Sequence, residues 1–171
     1  HFHYAAFSTS ILAGFITRAT DENTWPRFQP LLLLGVMTGP AVTGIGIALG
    51  SHVELFASLY MTFFASGLAL TWICRLTFNG PGVRSSAGVK HPNHLRAYLG
   101  VSSICLLVAM ALASTYAIRP DLGAFPWIYW MIRTHGILNS AGFVVPATIA
   151  ALYCLGPLPP FQAVLSRLTG K

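Results

Sequence analysis

Three groups of side chains in this sequence have the chemistry of a reaction or binding site: His1 with His3, His52 with Glu54, and Arg133 with His135 and Asn139. Imidazole exchanges protons near neutral pH and ligates metals. Two or three imidazoles with a carboxylate suit zinc or non-haem iron with an open position for water or oxygen. No HExxH or comparably close-spaced motif is present to favour that reading. The same residues suit metal-free acid–base chemistry, in which His135 and Glu54 exchange protons while Arg133 or Asn139 holds a polar group. Histidines on different helices can also hold haem. Spacing limits who can cooperate, because residues two apart on a helix point to nearly opposite faces. His1 and His3 therefore cannot share a target, and neither can Arg133 and His135. His135 and Asn139, four apart, share a face, as do His3 and Phe7.

The elements that position these groups are apolar. Of 171 residues, 54% are hydrophobic and only 8% charged, against roughly 25% charged in soluble domains. With a mean hydropathy of +0.65, the expected fold is all-α, a polytopic transmembrane bundle. Five spans are predicted, at 1–17, 30–50, 53–78, 95–118 and 127–154, the later four meeting the requirement of about 20 residues for about 30 Å of hydrocarbon. The chain reads as one transmembrane domain over 1–171 and, lacking an initial methionine, as part of a longer protein. Connectors at 19–29, 79–93 and 119–126 are rich in turn residues.

If spans alternate in direction, Arg18, Arg27, Arg75, Arg84, Lys90, Arg96, Arg167 and Lys171 fall on one side, leaving Arg119 and Arg133 on the other. Basic residues concentrate in cytoplasmic loops. The 79–93 loop is then cytoplasmic, and the start of the chain, the turn at 50–53 and the 119–126 loop are outside. The net charge of +6 is a topology signal, and nucleic acid is not an expected partner because the basic residues anchor loops instead of lining a groove with aromatics. Gly35 with Gly39, Gly46 with Gly50, and Ala109 with Ala113 permit close helix approach. Pro40 and Pro146 are expected to kink their helices. Cys74, Cys105 and Cys154 are scattered and form no disulfide framework, and His91 and His94 belong to the cytoplasmic connector as solvated residues.

All three groups of site candidates fall in the outer half of the bundle, where ionisable residues are costly and face the interior. Rising about 1.5 Å per residue, His3 and Asn139 reach similar depth, with His135 about a turn higher and closer to Glu54. Glu54, the one acidic residue in or at the mouth of a span, is expected to pair with Arg133, His135, His3 or His1. Candidate catalytic residues are therefore His3, Glu54, His135, Asn139 and Arg133, and candidate cofactor-binding residues are His1, His3 and His135.

HFHYAAF at 1–7 and RTHGILNSAGF at 133–143 resemble the paired motifs of the bacterial YndJ-like membrane proteins, and the resemblance covers most of the chain. By motif position it carries over to His1, His3, Phe7, Thr134, His135, Gly136, Asn139, Gly142 and Phe143. It implies upstream helices and a bacterial inner membrane location, and no stated activity. The expected function is that of an integral membrane protein with an outer-half polar pocket, an enzyme acting on a lipid or isoprenoid-like substrate by acid–base or metal-assisted chemistry. The alternatives are an accessory or structural subunit, a transporter, or a haem-binding membrane protein. The cofactor, a metal ion or haem if any, stays open. Membrane lipids and other membrane subunits are the expected partners.

Overall fold

The computed structural model describes residues 8–15, 28–78, 93–118 and 127–155, so most of each connector, and His1, His3 and Phe7, lie outside the described residues. The described chain contains no strand. A helical segment at 8–15 (α1) is followed by α2 (Gln29–Leu49), α3 (Ser51–Phe78), α4 (Asn93–Ile118) and α5 (Trp127–Ile137). A π-helical segment, Leu138–Val144, then leads directly into α6 (Val145–Leu155). Four stretches are long and apolar enough to cross a membrane: Gln29–Leu49, His52–Cys74, His94–Ile118 and Tyr129–Leu152. These match the four later predicted spans to within a few residues. His94 lies in the first turn of α4 and not in the connector, with its ring edge-on to Tyr98 at 6.5 Å.

The helices pack in chain order, α2 on α3, α3 on α4, and α4 on the π segment and α6. Neighbours run antiparallel. Between α2 and α3 the cause is the absence of side chains: a Cβ at Gly35 would collide with the Phe64 ring, one at Gly39 with Met61 Sδ, and one at Gly46 would lie 2.6 Å from Ala57 Cβ. Gly67 of α3 returns the favour to Leu32. Backbones can approach this closely only where small residues stand. Gly50, expected as a packing partner of Gly46, serves the turn instead. Nothing lies near where its Cβ would be, and its φ of 99° is a backbone conformation that glycine adopts without steric cost.

The two prolines behave differently. α2 continues through Pro40 without interruption, and the hydroxyls of Thr38 and Thr43 bond the Leu34 and Gly39 carbonyls, each at 2.9 Å. Pro146 sits just after the π winding, whose last bond runs from the Val145 N–H to the Ser140 carbonyl. A proline ring clashes with the carbonyl four residues back in regular α-helix, and the π segment redistributes the carbonyls ahead of it. One core cluster joins Leu12 and Ala13 of α1 to Trp72 of α3, Leu106 of α4, Phe143 of the π segment, and Ala147, Ala150 and Ala151 of α6.

Candidate functional site

The site candidates that meet do so across α4. This helix presents Ser102, Cys105 and Ala109, spaced by three and four and so lying on one stripe. Each meets the α5–π rod. His135 Nδ1–H donates to the Ala109 carbonyl at 3.0 Å, which leaves Nε2 unprotonated to accept from Asn139 Nδ2–H at 2.8 Å. A carbonyl can only accept, so this bond selects the neutral tautomer with the proton on Nδ1. Asn139 is buried and His135 half-buried. A turn lower, a Cβ on Gly142 would stand 2.7 Å from Cys105 Sγ, so the glycine sets how closely the rod can approach. Below that, the buried Ser102 hydroxyl donates to the Phe143 carbonyl at 3.1 Å.

The π winding concentrates these contacts. It begins one residue before Asn139 and ends one residue after Phe143, and π segments inside α-helices occur disproportionately at functional sites. Hydroxyls bracket it, Ser140 donating to the Gly136 carbonyl and Thr148 to the Val144 carbonyl, both at 2.7 Å. The fully buried Phe143 ring stacks on Trp72 of α3, with centroids 6.4 Å apart and planes 16° from parallel. Two buried side-chain atoms have no hydrogen-bond partner among the described residues, Trp72 Nε1 and Ser103 Oγ. One belongs to the ring that stacks on Phe143, and the other neighbours Ser102, which bonds the Phe143 carbonyl.

Of the candidate catalytic residues, His135 and Asn139 come together as their four-residue spacing requires. Arg133 is on another face, also as its spacing requires: it is exposed, with its guanidinium over the Tyr129 ring at 5.5 Å. Glu54 lies in the first turn of α3, where its Cα is 3.1 Å from the position of a Cβ on Gly46. Neither Arg133 nor His135 meets Glu54, and the other expected partners, His1 and His3, lie outside the described residues. Among the described residues Glu54 has no ionic partner, because the end of α3 that carries it packs on α2 while His135 faces α4. His52 is exposed beside it. No group of three or more His, Cys, Asp or Glu side chains able to hold a metal occurs among the described residues. Sequence reasoning missed Ser102, Cys105, Trp72 and the Ala109 carbonyl. The adjacent serines Ser102 and Ser103 in an apolar span were the available signal, whereas a backbone acceptor leaves none.

The fold and this pair define an all-α bundle of membrane-spanning length with a part-buried His–Asn couple between two antiparallel helices. The model of the YndJ-like protein family matches residues 1–143, and the chain belongs to that family. No curated protein and no solved structure matches it.

Proposed function

We propose that this YndJ-like protein moves a proton on an apolar, lipid- or isoprenoid-like substrate within the membrane, with His135 exchanging it at Nε2 once the substrate displaces the Asn139 amide, which orients the ring in the resting state. One observation carries the reading: His135 is held in a single tautomer by a backbone carbonyl, with Nε2 turned to a buried amide. A backbone carbonyl on the far nitrogen is how a working imidazole is oriented. Trp72 Nε1 and Ser103 Oγ, which have no hydrogen-bond partner among the described residues, add support, since a network kept only for packing gains by satisfying every buried polar atom. His3, from the first span, is the proposed second group, with His1 more peripheral. Glu54 and His52 mark the mouth of the same outer half.

A second reading rests on the same bonds. Because both ring nitrogens are engaged, the pair is also a lock between α4 and the α5–π rod, as an accessory subunit would need. The two readings separate experimentally. Lipid profiles of cells producing the wild type, His135→Ala and His3→Ala are compared alongside the thermal stability of each purified protein. A lipid species that changes with the wild type and is lost in both variants, at nearly unchanged stability, supports proton transfer. Unchanged profiles with lowered stability support the lock. Metal analysis and a visible absorption spectrum of the same preparations test for a metal ion or haem. The proposed location is the bacterial inner membrane with the 79–93 loop cytoplasmic. A cysteine placed at Ser86 is then unreactive to an impermeant reagent in intact cells, and labelling from outside overturns the orientation.

A further inference from the structure

Arg133 is the feature that the part-buried pair does not absorb. It lies within the span that begins at Tyr129, roughly 9 Å along the axis from Trp127, where α5 starts. A cation at that depth is costly unless it reaches water or an anion. Side chains on a helix lean toward its N-terminus, and in α5 that direction leads back to the membrane surface. The contact with Tyr129 shows that the side chain takes this course, since the guanidinium sits over a ring one turn nearer the helix start. Among the described residues no carboxylate pairs with it. Around it the surface is amphipathic in the order of a phospholipid, with Tyr129 and Trp130 exposed toward the interface and Ile132 and Ile137 exposed farther in.

We propose that Arg133, backed by the Tyr129 ring, is a binding site for the phosphate of an anionic phospholipid in the leaflet where α5 begins, with the acyl chains lying along Ile132 and Ile137. A guanidinium binds phosphate bidentately through its planar fork, and the cation–π contact with Tyr129 keeps the group near that position. An interfacial aromatic beside it suits the headgroup level. Charge complementarity selects an anionic lipid over a zwitterionic one, whose own ammonium competes for the phosphate.

Native mass spectrometry of the full chain, released from nanodiscs of equal phosphatidylglycerol and phosphatidylcholine, tests the site. Wild type retains phosphatidylglycerol about tenfold over phosphatidylcholine, Arg133→Gln loses the preference, and Arg133→Lys keeps a reduced one because an ammonium is a point charge without the fork. Tyr129→Leu weakens retention with the charge intact. Equal preference in wild type and Arg133→Gln overturns the site, and so does lysine performing as well as arginine. Should Arg133→Gln fail to fold, Arg133→Lys and Tyr129→Leu decide by the same criterion. Adding inorganic phosphate separates the sources: retained lipid supports the phospholipid site, and displacement of lipid by free phosphate overturns it.

Discussion

The α2–α3 hairpin and the α4–π interface are two ways of holding apolar helices together. The hairpin is joined by glycines receiving large side chains, Gly35 under Phe64, Gly39 under Met61 and Gly67 under Leu32. Its cross-helix polar contact, Thr38 with Tyr60 at 2.8 Å, is exposed at the edge. The α4–π interface is joined by His135, Asn139 and Ser102, whose bonds are buried or part-buried. Glycine packing is tolerant of chemistry and intolerant of volume. Hydrogen-bonded packing is the reverse. Between the two regions, Thr62 of α3 bonds Ser114 of α4 at 2.7 Å, so α3 takes part in both styles.

The contrast can be broken most severely in the hairpin. Gly46→Val drives a branched side chain against Ala57 Cβ, 2.6 Å from the first carbon added, and against the Val53 carbonyl at 3.0 Å. Because one obstacle is backbone, the helices must separate, and a loss of about 3 kcal/mol is expected, read as a lowered unfolding midpoint in detergent. Survival of Gly46→Val with an unchanged midpoint refutes close packing as what holds the hairpin. Asn139→Leu comes next. It conserves volume approximately but leaves His135 Nε2 without its donor, and about 1–2 kcal/mol is expected. Under the proton-transfer reading it also loses the lipid-profile effect, which Gly46→Ala, with a smaller intrusion, reduces only in step with the amount of folded protein.

Ser102→Ala removes one hydroxyl from the Phe143 carbonyl and is expected to lower stability by about 0.6 kcal/mol, near the average for interhelical hydrogen bonds in membranes. A change in helix winding is visible in the same variant, because backbone amide chemical shifts from Leu138 to Val144 report the π segment directly. Shifts confined to Phe143 and its contacts leave the winding independent of the bond. Thr38→Val is the smallest change, expected within about 0.5 kcal/mol of wild type, since the pair it breaks is exposed at the bundle edge. An effect as large as that of Asn139→Leu undoes the distinction between the two regions.

Much of this architecture was readable from local sequence. The four later spans follow from uninterrupted apolar length, and the shared face of His135 and Asn139 follows from helical period alone. The same period separated Arg133 from His135. Depth alone does not place Glu54 beside His135 or Arg133, because residues at one height in a bundle can stand on helices that do not touch, and α3 carries Glu54 on the end that packs against α2. Gly50 looked like Gly46 in the sequence because a four-residue spacing does not report whether the second glycine is still inside the helix.

The sequence by itself determined how many times the described chain can cross about 30 Å of hydrocarbon, where the polar residues lie along that path, and which of them share a helix face. It did not determine which helix each face meets. In soluble helices a one-sided apolar stripe points to the core, but α2 and α4 are apolar on nearly every side, so the hydrophobic period carries no direction. Tertiary structure alone decided that Ala109 of α4 supplies the acceptor for His135, that Gly142 is filled by Cys105, and that the chain winds as a π-helix before Pro146. Each depends on a contact with another helix or on the balance of carbonyls around a proline, and neither is a property of one segment of sequence.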